Sequence, residues 1–387
     1  MPRFALFAWL LLIAWWTLTP APEATAAVDL TPWWCISCGE IGTADLLQNV
    51  LLFFPVGQIL RHLEWGFRRT IGTGLAFTLF IEVCQATVLS GRDAALGDVV
   101  ANVAGIAIGW ALYPALRYAI HPTPTTANRI AGVPLIAFAL QLAFSAWLLR
   151  PAPGVDGWTI DRAPQHHDGT RWPELVGDVT LERRADTVRF AVTTHWPTTP
   201  PAQRVTIARV THGPLDGVAG VSVAPGTITA GLRTHARDVR LRSPLGIIAL
   251  PTLSAGDQLS VRVTHAPGTL DLSAVSSSGA TSSARVPVGA QHGWVLINPF
   301  TTPVDLSHAW ARWTLAWLTG WGMLLGFGAG ATRQWWGWAF AGAAAGLGVP
   351  WLTGTPLRLW EMVALATAWA MAAGAGRMRR RGHSTVE

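Results

Sequence analysis

Eight runs of apolar residues, roughly 4–19, 45–61, 70–90, 97–117, 130–149, 309–331, 334–353 and 359–376, dominate this 387-residue chain. Each approaches the 17–25 residues or so that a helix needs to cross a hydrocarbon core. Inside a bilayer the backbone must satisfy its own hydrogen bonds, which leaves helices as the form such runs can take. The expected architecture is therefore an α-helical polytopic membrane protein with about eight spanning helices. Residues 1–150 supply five of them and 306–387 supply three with a basic tail. The polar stretch 151–305 between them is expected to be one inserted all-β domain outside the membrane.

Charge placement sets an orientation. The formal charge of +6 comes from arginine alone, since the chain has no lysine. With the N-terminus in the cytosol, the inner loops hold Arg61, Arg68, Arg69, Arg117, Arg129 and Arg333, and the tail holds Arg377, Arg379, Arg380 and Arg381. Short outer loops hold only Arg92 and Arg358. This is the cation bias of an inner-membrane protein with both termini inside. It explains the arginines better than nucleic-acid binding, because exposed aromatics are not interleaved with them. The 22 tryptophans crowd near the run ends, where indole prefers the headgroup level. The first run has a second reading, a signal peptide, because Pro20, Pro22 and Ala24-Thr25-Ala26 follow it. A retained helix is favoured, and either choice starts the chain on the same side.

Residues 151–305 alternate in short runs: Thr187–Thr193, Val205–Val210, Val218–Val223, Thr227–Leu232, Val239–Leu241, Gln258–Thr264 and Leu270–Val275. Turn signals separate them, and short strands at such spacing make a β-sandwich or jelly roll. The Ser276–Ser283 tract reads as a flexible loop.

The most informative feature is a doubled pattern. Asp45-x-x-x-Asn49-Val50 opens the second run and leads to Pro55 and Gly57; Asp98-x-x-x-Asn102-Val103 opens the fourth and leads to Gly105 and Gly109. A spacing of four puts each Asp and Asn on one helix face. The third run, antiparallel to both, carries Glu82 and Gln85 at a spacing of three. At 1.5 Å per residue, Asn49, Asn102 and Gln85 fall about 6 Å below the outer boundary and Glu82 about 11 Å. All six groups then share the outer half of the bilayer, with Arg92 in the loop above. An acid at a helix centre costs about 2.5–3.5 kcal/mol on insertion scales, so it faces a partner or a cavity. Helix glue is the bland reading of this set; a polar pocket open to the outside is the functional one.

Three cysteines are too few for a disulfide framework. Cys35 and Cys38 would lie on the oxidising side and are candidates for one structural disulfide, with a redox or metal role ranked below it. Cys84 reads as packing. His166-His167-Asp168, and Asp156, Asp161 and Asp178, are weak metal candidates without a recognisable ligand loop, so no metal site is assigned. No nucleophile-elbow, zinc-protease or phosphate-loop motif is present.

Residues 29–118 resemble the VanZ-like family of bacterial membrane proteins. The matching residues are Cys38-Gly39, Gly42, Asp45, Asn49, Phe53–Pro55, Gly57, Glu82-x-x-Gln85, Gly91-Arg92, Asp98, Asn102, Gly105 and Gly109. Family members carry Pro-Gly-Arg at the outer loop, where this chain has Ser90-Gly91-Arg92. The resemblance implies a cell-envelope role, linked by the family's namesake to teicoplanin-type glycopeptide resistance, and names no reaction. The stretch Ala202–Ala208, with Gly231–Thr234, resembles concanavalin-A-like or laminin-G-like sandwiches. The expected function is to bind or modify a lipid headgroup or a lipid-linked cell-wall precursor at the outer leaflet. Glu82 would be the general acid or base if chemistry occurs, Arg92 would hold an anionic group, and Asp45, Asn49, Gln85, Asp98 and Asn102 would orient the ligand or each other. Whether this is an enzyme, and with which cofactor, stays open. The alternatives are a membrane-anchored glycan- or peptide-binding module and, ranked last, a transporter.

Overall fold

A computed structural model describes residues 2–19, 33–37, 41–89, 94–120, 126–152, 157–164, 170–212, 217–298, 306–330, 332 and 334–384. The chain forms two units, 1–121 and 122–387, taken one at a time below.

The first unit is helical: α1 (Pro2–Leu18), α2 (Gly42–His62), α3 (Phe67–Thr87) and α4 (Leu96–Ile120). Helices α2 and α4 run parallel, with α3 returning between them in sequence. Glycines set how closely α2 and α4 approach. A Cβ at Gly57 would collide with the Ile106 carbonyl, one at Gly105 with the Val50 carbonyl, and one at Gly109 with the Phe54 carbonyl. Small residues that let backbones touch are the usual basis of helix association in lipid. Phe53, Val56, Leu60, Ile81 and Ile106 fill the interior with Ile13 of α1. The Trp9 indole donates to the Leu52 carbonyl at 2.8 Å, which ties α1 to α2.

The second unit begins with α5 (Ala127–Leu148), continues as a sandwich, and ends with α6 (Leu306–Gly330), α7 (Trp335–Leu352) and α8 (Leu359–Ser384). The sandwich strands are β1 (Thr159–Arg162), β2 (Val176–Arg184), β3 (Thr187–His195), β4 (Val205–Thr211), β5 (Gly217–Ala224), β6 (Thr227–Leu232), β7 (Leu245–Ala249), β8 (Gln258–Ala266), β9 (Gly268–Ser276) and β10 (Thr281–Val288). They make two antiparallel five-stranded sheets, ordered β1-β4-β5-β6-β7 and β10-β9-β8-β3-β2. Alternate residues point inward: Val205, Ile207 and Val210 of β4, Phe190 and Val192 of β3, and Leu259, Val261 and Val263 of β8 are buried. The expected sandwich is present.

Three expectations need correction. Val239–Leu241 is not a strand: it follows the 3-10 turn His235–Val239, which closes on Arg240 in the left-handed region (φ 55°) and buries Leu241. The Ser276–Ser283 tract is not a loose loop but a hairpin. Ser276 closes β9, its hydroxyl accepts from the Ala280 amide at 3.0 Å, and Thr281 opens β10. The expected total of eight spans is matched only in part. Four described helices are long and apolar enough to cross a membrane, α2, α3, α4 up to Ala119, and α5, while α1 is shorter. Helices α6 and α7 owe much of their bulk to tryptophan and glycine, which hydropathy ranks low, and α8 carries Glu361 and the terminal arginines.

Candidate functional site

The six polar residues singled out in the first unit sit on α2, α3 and α4; two of them, Asn49 and Asp98, bond directly, and Glu82, Gln85 and Asn102 bond to other neighbours. The Asn49 amide of α2 donates to Asp98 Oδ1 of α4 at 2.6 Å. The Asn102 amide of α4 donates to Thr78 Oγ of α3, also at 2.6 Å. Thr78 is one turn from Glu82, whose own neighbour on that face is Gln85. Glu82 Oε2 accepts the Ala95 backbone amide at 3.0 Å, and the Asp98 carboxylate is close enough to act on it electrostatically. The Gln85 amide reaches α1, donating to the Thr17 carbonyl at 3.0 Å. Asp45 is half-buried in the first turn of α2, one turn before Asn49. Arg92 lies outside the described residues.

The start of α4 explains why these types gather here. A helix N-terminus leaves its first amides without intrahelical partners. Here Ala95 N–H goes to Glu82, Leu96 N–H to the Trp33 carbonyl at 2.7 Å, and Gly97 N–H to the Cys35 carbonyl at 3.1 Å. Residues 33–37 therefore form a strap across the beginning of α4. Gly97 is needed there because a Cβ would strike the Ile36 carbonyl. Cys35 is disulfide-bonded, Cys84 is free, and Cys38, the expected partner of Cys35, lies outside the described residues. Because α2 and α4 are parallel, two positive helix ends lie side by side. Asp45 and Asp98 occupy their first turns, where carboxylates are favoured.

Glu82, Gln85 and Asn102 are buried, at 8%, 7% and 3% exposure, in helices whose large apolar side chains face outward. Two acceptors in this cluster, Gln85 Oε1 and Asn102 Oδ1, are buried without a hydrogen-bond partner. An unsatisfied buried acceptor costs about 1–3 kcal/mol. In chemical terms the cluster offers a carboxylate able to take or give a proton and two open amide oxygens able to receive O–H or N–H groups.

The second unit holds a polar cluster that the sequence reading did not single out. His292 and Glu361 are fully buried, with Nε2 and Oε1 3.8 Å apart. Glu361 Oε2 accepts from the Arg358 amide at 2.7 Å and the Gln291 side chain at 3.4 Å. His292 Nδ1 accepts the Gly289 amide at 2.9 Å, so its neutral ring carries its proton on Nε2, facing Glu361. Burial, joined by the nearby Arg358 charge, pushes the His292 imidazole down to about 3. A lone histidine 69 positions before its partner carries no local motif, which is why sequence alone passed over it. Of the weak metal candidates, Asp161 and Asp178 lie on β1 and β2, edge strands of different sheets. His166, His167, Asp168 and Asp156 lie outside the described residues.

No curated protein and no solved structure matches this chain. Residues 6–117 match the family model described as VanZ/LLP1. The match begins inside α1 and ends inside α4, so it takes in each of the four helices that build the polar cluster. This N-terminal stretch, under a third of the chain, is therefore similar to the VanZ/LLP1 family, and it contains three of the four described helices long and apolar enough to cross a membrane.

Proposed function

We propose that the cluster on α2, α3 and α4 binds the polar head of an envelope lipid or lipid-linked cell-wall precursor from the outer leaflet. The observation that carries this reading is the pair of buried, unpartnered acceptors, Gln85 Oε1 beside Glu82 on α3 and Asn102 Oδ1 on α4, whose amide bonds to Thr78 one turn from Glu82. A hydroxyl- or ammonium-bearing head supplies the missing donors. Glu82 exchanges a proton with the bound group if chemistry follows. Arg92, four residues before the strapped start of α4, holds the anionic part of the ligand. Asp45, Asn49 and Asp98 keep α2 and α4 in register.

The same reading puts α1 and α6–α8 in the membrane with α2–α5, both termini in the cytosol and the sandwich outside, as in a lectin-like domain. Three stacked cations support it: Arg61 over Trp110, Arg69 over Trp65, and Arg377 over Trp335, each pairing an inner-side arginine with an interfacial indole. The Gln85 bond to Thr17 supports a retained α1. A link to glycopeptide tolerance follows as the physiological outcome of altering such a ligand.

The test is unbiased lipid identification on the purified protein, comparing wild type with Glu82→Ala and Arg92→Ala. One lipid class is expected to co-purify with wild type and to be depleted in both variants. An unchanged lipid profile in folded variants would leave the cluster as helix glue alone. Glu82→Gln separates the roles: it keeps binding and abolishes any turnover if the carboxylate moves a proton.

A further inference from the structure

The second unit contains a cleft of about 220 Å³ at the foot of the sandwich, lined by Trp147, Arg150, Arg183, Asp186 and His235. Its position is fixed by the backbone. Helix α5 is a candidate span that ends at Leu148, and the chain is pinned to the sandwich immediately afterwards. The His235 amide donates to the Arg150 carbonyl at 3.2 Å, the Ala152 amide donates to the Arg233 carbonyl at 3.1 Å, and Pro151 bridges to Thr234. The Trp147 indole stacks on the His235 ring, 5.3 Å between centroids and 12° from parallel. Phe144 and Trp147, both exposed, mark the last turns of the span. The cleft thus opens at the end of a helix that is long and apolar enough to cross a membrane.

Its charged groups Arg150, Arg183 and Asp186 are exposed and leave most of their hydrogen-bonding capacity to what enters the cleft. His235 is engaged, sharing Asp238 with Arg233 at 3.0 and 2.7 Å. Arg150 and Asp186 make no side-chain hydrogen bond or ion pair among the described residues. Arg183, on the β2–β3 hairpin, spends only its Nε, on the Ala185 carbonyl at 3.1 Å. Two guanidiniums and a carboxylate therefore line one small cleft without pairing to each other. Guanidinium groups suit phosphate oxygens, and a carboxylate suits an O–H or N–H donor. The volume lies below the range of about 300–1,000 Å³ typical of drug-sized ligand sites, which fits a headgroup rather than an oligosaccharide.

We propose that this cleft is a second, lipid-binding site, distinct from the cluster on α2–α4. It would take a phosphodiester headgroup that also carries a hydrogen-bond donor, as phosphatidylethanolamine and phosphatidylglycerol do. Arg150 and Arg183 hold the phosphate, Asp186 takes the hydroxyl or ammonium, and Trp147 and Phe144 meet the upper acyl chain.

The test uses the full-length protein in detergent with headgroup-proximal photoactivatable phosphatidylethanolamine, followed by mapping of the crosslinked peptides. Crosslinks are expected in 147–151 and 183–186, and Arg150→Gln/Arg183→Gln is expected to reduce them at least about tenfold, as two lost charge-assisted contacts require. Arg150→Lys/Arg183→Lys should keep most of the signal, which separates charge recognition from a folding defect. Unlabelled phosphatidylethanolamine and phosphatidylglycerol should compete better than phosphatidylcholine, whose ammonium has no N–H, and Asp186→Leu, which removes the acceptor, should erase that preference. Equal crosslinking in the Gln variant, or equal competition by diacylglycerol, overturns the proposal. Competition by soluble glycerophosphoethanolamine as effective as that by the lipid would assign the cleft to a free phosphate ester and overturn the lipid assignment.

Discussion

The helical first unit and the sandwich of the second differ in what they show at their surfaces. In α1–α4 apolar residues lie on both sides: Phe53, Ile81 and Ile106 fill the interior, Phe4, Leu51 and Phe80 are more than half exposed, and the polar Glu82, Gln85 and Asn102 are buried. In the sandwich the apolar residues keep to the inside: Phe190, Ile207, Val221, Ile228 and Leu259 are fully buried, and charged residues such as Arg189, Arg262 and Glu182 occupy outward positions. A single chain therefore folds against two solvents. The sandwich draws stability from removing apolar area from water. The helices, surrounded by hydrocarbon, have no such drive between them and depend on glycine contacts and a few hydrogen bonds.

The sharpest way to break that contrast is to fill a glycine notch. Gly105→Leu is expected to separate α2 from α4 and abolish a folded first unit, because the new side chain meets the Val50 backbone rather than a movable side chain. Hydrogen exchange should rise across α2 and α4 and leave β3 and β8 protected; continued protection of α2 and α4 would show that the notch does not set their packing. Next in size, Phe190→Ala should cost about 3–5 kcal/mol of sandwich stability by leaving a core cavity. It is read by denaturant-dependent exchange in β3 and β8. A cost below about 1 kcal/mol would deny that the sandwich has a water-driven core.

Acid should act on the second unit through its buried histidines. Burial holds His265 down to about 4, and both its ring nitrogens lack partners, while His292 sits at about 3. In the unfolded chain each binds a proton near pH 6.5. Stability is therefore full above about pH 6.5 and declines as pH falls toward 4, by on the order of 2 kcal/mol per histidine at pH 5. His265→Leu should raise stability by about 1–3 kcal/mol, through removal of unsatisfied polar atoms, and flatten part of the pH slope. An unaltered slope in that variant would mean that His265 finds a partner. The smallest effect is expected in the first unit: Asn49→Leu should cost about 0.6 kcal/mol, the average for an interhelical hydrogen bond in lipid. A loss of several kcal/mol would make the Asn49–Asp98 contact a keystone rather than one small tie.

Much of this was legible in the sequence, for identifiable reasons. Residues 227–232 alternate strictly and bear Gly-containing turns, so β6 has the bounds read from its pattern. The four-residue spacing of Asp45 with Asn49 and of Asp98 with Asn102 forecast shared faces, and the Asn49–Asp98 contact shows those faces meeting. Strands β1, β2, β7 and β10 escaped because their residues do not alternate: β2 ends in Glu182-Arg183-Arg184 at a sheet edge, and β10 is serine-rich and exposed at its start. Partners supplied by backbone escaped for another reason. Nothing in the residue types says that Glu82 would meet the Ala95 amide, or that the Trp33 and Cys35 carbonyls would meet α4, because backbone acceptors are the same at every position. The His292–Glu361 approach is long-range and was equally silent.

The strap formed by residues 33–37 ties a covalent bond to a helix end. Its carbonyls act as a buckle on the leading edge of α4, and the buckle is fastened through Cys35. The bond that holds Cys35 thus also holds the carbonyl that receives the Gly97 amide, so the first turn of α4 is the part of the helix that the disulfide supports most directly.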